Sequence, residues 1–173
     1  MALTSGLGGQ LSIDLGALAR NWRALDKVSA GALTAAVVKA DAYGTGIEQA
    51  SKALHAAGAR FFFVATPDEG MSVRAAVPDA HIFILYGLYP GAANLYIRQN
   101  LMPVLSSMSM LEEWMAKCIE RNEAYPAAFH FDTGINRLGF RLNEASLVRE
   151  SIEKLGYAPQ MVMSHLACAD TPN

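Results

Sequence analysis

Six short apolar runs, each separated from the next by a stretch with helical spacing, leave this 173-residue chain few folds to choose from. The runs are Ala35–Val38, Phe61–Ala65, Ile82–Leu85, Met102–Leu105, Ala127–Asp132 and Gln160–His165. Several are apolar throughout, as strands covered on both faces are. Six βα units in succession require a parallel sheet, either open and doubly wound or curled into a barrel. The polar residues favour the barrel. Lys39, Thr66, Tyr86, Ser106, Asp132 and His165 each fall at or just past the C-terminal end of a run. A (β/α) barrel draws its chemistry from that rim, with many strands contributing, whereas a doubly wound sheet concentrates it at one switch point. The expected fold is α/β, a TIM-type (β/α)8 barrel represented by its first six βα units. A closed barrel takes about eight strands and about 250 residues. Residues 1–173 are therefore expected to be the N-terminal part of a longer barrel domain, with two raw sheet edges that favour aggregation or loose packing of the isolated chain.

Capping signals place the helices. Asp14 is expected to cap a helix with Leu15, Leu18, Trp22 and Leu25 on its inner stripe, and Thr66-Pro67-Asp68-Glu69 reads as a capping box with proline at the first helical position. Ser109-Met110-Leu111-Glu112 reads as another, opening a helix that buries Leu111, Trp114, Met115, Cys118 and Ile119. Asn143 is expected to cap a helix carrying Leu147, Val148, Ile152 and Leu155, ended by Gly156.

Composition narrows the function. A hydrophobic fraction of 52% against 17% charged residues is a globular balance, and a net charge of -2 offers no electrostatic case for nucleic acid or an anionic membrane. No apolar stretch approaches a membrane span, and the opening Met1-Ala2-Leu3-Thr4-Ser5-Gly6 lacks the pattern of a secretion signal, so the cytoplasm is the expected compartment. Cys118 and Cys168 stand in no metal-ligand spacing and are expected to be reduced thiols; no metal site is expected.

Three stretches carry candidate chemistry. Lys39 ends a buried run and is followed by Ala40-Asp41-Ala42-Tyr43-Gly44-Thr45-Gly46, which suggests a Schiff-base lysine beside a phosphate site; a solvated strand-end lysine is the plainer alternative. Tyr43 offers a hydroxyl to an anionic oxygen beside two glycines, or merely packs at the turn. In Phe129-His130-Phe131-Asp132-Thr133-Gly134-Ile135-Asn136-Arg137-Leu138-Gly139-Phe140, alternation puts His130 and Asp132 on one face. Arg137 is a planar cation suited to a carboxylate or phenolate, or it pairs with Asp132 and only pins the loop. His165, in Met163-Ser164-His165-Leu166-Ala167, stacks on a flat ligand, donates a hydrogen bond, or satisfies itself against backbone. Neither the G-x-G-x-x-G dinucleotide fingerprint nor a P-loop is present.

Together these stretches closely resemble the alanine racemase family, fold-type III enzymes that use pyridoxal 5'-phosphate (PLP). The resemblance runs from Leu11-Ser12-Ile13-Asp14 to Ala169-Asp170. It is carried by Val38-Lys39-Ala40-Asp41-Ala42-Tyr43-Gly44, Asp132-Thr133-Gly134-Ile135-Asn136-Arg137-Leu138-Gly139 and Ser164-His165-Leu166-Ala167. It implies interconversion of L- and D-alanine through a Lys39 aldimine, with Lys39 also the base on the D-alanine face. It further implies that Tyr43 contacts the PLP phosphate, that Arg137 binds near the phenolic oxygen and the substrate carboxylate, and that His165 packs beside the pyridine ring. A homodimer is implied too, in which a C-terminal β-domain absent from this chain supplies the opposite-face base. The chain alone is therefore expected to be inactive. Many members place a carbamylated lysine where this chain has His130, so Arg137 is expected to be held by His130 or by a bound anion. An amino-acid decarboxylase of the same fold type and a non-enzymatic single-barrel PLP-binding homeostasis protein are the alternatives.

Overall fold

The computed structural model describes residues 9–171. The segment Met1–Gly6, read above for a secretion signal, and Pro172–Asn173 lie outside the described residues. All six expected strands form: β1 (Ala36–Val37), β2 (Phe61–Val64), β3 (His81–Ile84), β4 (Met102–Leu105), β5 (Ala128–His130) and β6 (Met161–Met163). They pair in parallel, in the sequential order β1-β2-β3-β4-β5-β6. A doubly wound sheet would reverse its order at a switch point; here each strand adds to the same side of its predecessor, which is the order of a barrel wall. The connecting segments are α1 (Leu15–Val28), α2 (Lys39–Gly44), α3 (Ile47–Ala57), α4 (Pro67–Ala76), α5 (Ala93–Arg98), α6 (Met108–Arg121) and α7 (Ala145–Glu153).

Alternation along the strands divides the apolar residues between two interiors. Phe62, Val64, Ile82, Ile84, Leu105 and Phe129 join Val73, Tyr96, Leu111 and Trp114 in the layer between sheet and helices. Phe83, Met102, Val104 and Ala128 form a second cluster with Phe61, Phe63, Leu85, Met161 and Met163. This second cluster is the barrel lumen, where Phe63 stacks on Phe83 with centroids 4.8 Å apart.

Two caps form where the sequence places them. Asp14 Oδ1 accepts from the Ala17 N–H at 2.9 Å. Thr66 and Glu69 complete a reciprocal capping box at the start of α4. Two others shift. Ser107, not Ser109, caps α6, because a helix beginning at Met108 brings the Met110 N–H to the Ser107 hydroxyl. Asn143 caps nothing: it lies within a 3-10 turn, Leu142–Glu144, that leads straight into α7. The stripes are also narrower than expected. Leu25, Ile119 and Leu147 are exposed, as is Leu155, which lies past the end of α7. Cys118 is buried, Cys168 is exposed, and both are free thiols. No helix among the described residues is long and apolar enough to cross a membrane.

The edge strands leave apolar surface uncovered: Val37 on β1 is 45% exposed and Val162 on β6 is 63% exposed. The 173-residue chain on its own is therefore expected to unfold over a broad, weakly cooperative range and to bind a hydrophobic dye under native conditions. A single sharp transition, coincident by near-UV and far-UV circular dichroism and without dye binding, would contradict this.

Candidate functional site at the C-terminal rim

Lys39 follows β1 directly. Val38 still belongs to the ladder, donating its N–H to Phe63 O at 2.9 Å, and Lys39 takes the lumen-side parity of Val37. The chain then does something unusual. Ala40, Asp41, Ala42 and Tyr43 all adopt left-handed helical angles, with φ of +52°, +53°, +53° and +57°. For residues bearing a Cβ this costs roughly 1–2 kcal/mol each, so the turn exists only because its surroundings enforce it. The enforcing bonds are specific. The Ala42 N–H donates to Val38 O at 2.9 Å and the Gly46 N–H to Asp41 O at 3.0 Å. Asp41 Oδ1 accepts from the Ile47 N–H at 2.7 Å, which also satisfies the start of α3. Glu69 Oε1 accepts from the Ala40 N–H at 2.6 Å. The result leaves Lys39 half-buried and swings Tyr43 outward, 64% exposed, beside Gly44 and Gly46.

The second part of the rim is the loop after β5. Its two ends are tied together: the Phe140 N–H donates to His130 O at 2.7 Å and the Asp132 N–H to Phe140 O at 2.9 Å. Asp132 Oδ1 accepts from the N–H groups of Gly134 (2.9 Å) and Asn136 (3.1 Å), and those bonds hold its carboxyl below the usual carboxylate range. The Asp132–Arg137 pair considered above is not what pins the loop; backbone amides occupy the carboxylate instead. Arg137 is exposed and makes no hydrogen bond or ion pair among the described residues. Its guanidinium is left available at the rim.

His130 shares the lumen side with Asp132, as alternation requires. It is only 6% exposed, and its Nε2 has no hydrogen-bond partner among the described residues. Burial pushes its pKa below the ordinary histidine value, the neighbouring His165 and Arg137 push the same way, and Asp132 opposes them. The neutral ring is favoured, with one buried nitrogen left over. His165 lies beyond β6 and is exposed.

His130 ends β5, Arg137 lies in the loop that follows it, and His165 lies just past the neighbouring strand β6. Lys39 and Tyr43 lie in α2, just past β1 at the other end of the strand order. Three of the six rim residues serve local structure: the Thr66 hydroxyl caps α4, the Asp132 carboxylate accepts from loop amides, and Ser106 Oγ lies 3.7 Å from Met110 Sδ. A cleft of about 300 Å³ lined by Met115, Cys118, Leu155 and Tyr157 lies on the helix side, away from the rim. Among the described residues no cluster of three His, Cys, Asp or Glu could hold a metal ion.

Gly139 fixes the Arg137 loop most tightly. Its φ is +126°, and a Cβ there would lie 2.5 Å from Asp132 N. Gly139→Ala is expected to lower the stability of the complete protein by about 1–3 kcal/mol and to weaken ligand binding through Arg137. Thermal unfolding that matches the wild type would contradict the tight closure.

Residues 13–173 match the family model for the alanine racemase N-terminal domain. An alanine racemase described as biosynthetic, from Agrobacterium fabrum, is 49% identical over 165 residues, covering 95% of this chain and 42% of that protein. A catabolic alanine racemase from the same organism is 42% identical over 170 residues, 97% of this chain and 44% of that protein. The crystal structure of alanine racemase from Bartonella henselae with covalently bound pyridoxal phosphate superposes with a TM-score of 0.85 at 34% identity, covering 90% of this chain and 46% of that one. The chain spans less than half the length of these relatives.

Proposed function

This chain belongs to the alanine racemase N-terminal domain family, and we propose that within the complete protein it supplies the cofactor-lysine half of a PLP-dependent alanine racemase. The observation that carries the reading is the position of Lys39 at the C-terminal rim, directly after β1 and followed at once by a strained left-handed turn. Backbone strain of that kind persists where geometry at a site demands it. The rim also suits an anionic, flat aldehyde cofactor in its donor chemistry. It offers an amine, an exposed phenol beside two glycines, a guanidinium with no partner and one orphaned buried imidazole nitrogen.

Bound PLP supplies an electron sink that acidifies the α-proton of alanine. Lys39 Nζ holds the cofactor and takes or returns that proton on one face of the substrate carbon. The Tyr43 hydroxyl would donate to the phosphate, with Gly44 leaving open space beside it. Arg137 would donate near the phenolic oxygen of the cofactor and to the alanine carboxylate, its planar fork suited to such acceptors. His165 would pack beside the pyridine ring. His130, neutral and buried, accepts from the Arg137 guanidinium when the site is filled, the part that a carbamylated lysine plays in many members of the family. The base on the opposite face comes from outside residues 1–173, in a C-terminal β-domain contributed across a homodimer in the cytoplasm. The family match favours this reading over the decarboxylase and the single-barrel PLP carrier.

The complete protein is expected to interconvert L- and D-alanine, and the 173-residue chain alone is expected to be inactive. Lys39→Ala in the complete protein should lower kcat at least about a thousandfold, since both attachment and proton transfer are lost. Robust racemisation by the isolated chain, or by the Lys39→Ala protein, would refute the assignment. His130→Ala should raise the KM for alanine by about tenfold, the cost of a lost hydrogen bond to a charged group. A variant with unchanged activity and substrate affinity would remove His130 from the site.

A further inference from the structure

We propose that Glu69 is a positioning residue for Lys39, acting through the left-handed turn; the proposal rests on the reading of Lys39 given above. Glu69 lies in the first turn of α4. Its Oε2 accepts from the N–H groups of Thr66 at 3.2 Å and Ala65 at 2.7 Å. The Thr66 bond alone completes the capping box. Its other oxygen goes further. Oε1 leaves its own βα unit and accepts from the Ala40 N–H of the preceding unit at 2.6 Å. One half-buried carboxylate therefore joins three amides from two neighbouring rim segments.

The Ala40 bond matters because of where that amide sits. The peptide plane containing the Ala40 N–H also contains Cα and the carbonyl of Lys39. Aiming that N–H at Glu69 fixes the plane, and with it the ψ of Lys39 and the direction in which its side chain leaves the rim. The next four residues are left-handed without a single glycine among them, so the turn has little intrinsic preference for this shape. A carboxylate is suited to the task, since it is acceptor-only and can take several N–H donors at once. Glutamine would turn an NH2 donor towards one of the three amides. Aspartate, one methylene shorter, cannot span from α4 to Ala40 while also serving Ala65.

The test compares Glu69→Asp and Glu69→Gln with Thr66→Ala in the complete, PLP-loaded protein. Thr66→Ala weakens the same helix start but leaves the Ala40 contact intact. Both Glu69 variants are expected to speed amide hydrogen exchange at Ala40 by about tenfold. They should also lower kcat for alanine by about tenfold to a hundredfold, because Lys39 Nζ is no longer held in line with the α-carbon. KM should stay within about twofold, since Arg137 is untouched. Thr66→Ala should change neither Ala40 exchange nor kcat. Unchanged Ala40 exchange and kcat in Glu69→Asp would overturn the proposal, as would equal effects from Thr66→Ala. If Ala40 responds to Glu69 but Lys39→Ala leaves racemisation intact, the reading of Lys39 falls and Glu69 is only a structural clamp.

Discussion

Neighbouring side chains on a strand face opposite ways, and in this chain that alternation determines both what is buried and what reaches the rim. Phe62 and Val64 go to the helices while Phe61 and Phe63 go to the lumen; Phe129 goes outward while Ala128 and His130 go inward. A slip of one residue in the pairing of β5 would carry His130 to the helix layer and Phe129 into the lumen. The parallel pairing holds it in place, with His130 opposite Met163 and Ala128 opposite both Val104 and Met161. Because every strand runs the same way, the C-terminal ends of all six meet at one rim. The residues proposed to handle cofactor and substrate are therefore a consequence of sheet register before they are a consequence of side-chain chemistry.

On that frame two loops are held firmly, in different ways. The loop carrying Arg137 is closed by backbone bonds and by Asp132, and a glycine at φ +126° lets the chain pass against itself. The turn after Lys39 uses no glycine until Gly44, and adopts the left-handed region for four residues under constraint from Val38, Asp41, Ile47 and Glu69. Rigid loops with free functional tips are what a site for a small, flat, charged ligand requires. Arg137 and Tyr43 are the exposed residues proposed above as such tips.

Much of this was legible in the residues. The six strands, their parallel order and the rim placement of Lys39, Asp132 and His165 follow from apolar runs ended by polar residues, a signal that burial on both faces makes strong. Asp14 and Thr66 show that a capping residue followed by a good helix former is readable too. Helix margins were less so. Ser107 and Ser109 are both competent caps, and local spacing does not distinguish them; in the structure α6 begins at Met108 and Ser107 caps it. The left-handed turn was invisible, since Ala40-Asp41-Ala42-Tyr43 has no propensity for it; the conformation comes from contacts 29 residues away in sequence, at Glu69. Glu69 itself was recognised only as half of a capping box, because its second oxygen acts across units that local spacing cannot connect. The supposed Asp132–Arg137 pair failed for a related reason: the amides nearest to a loop carboxylate take it before a distant side chain can.

The central claim is that Lys39, alone among the lysines, is presented to the cofactor. The most direct measurement is to reduce the PLP-loaded complete protein with borohydride and map the modified peptide by mass spectrometry. The account predicts a single pyridoxyl adduct, on Lys39. Label spread over Lys27, Lys52, Lys117 and Lys154, or a single adduct on any of them, would contradict it and return Lys39 to an ordinary strand-end lysine.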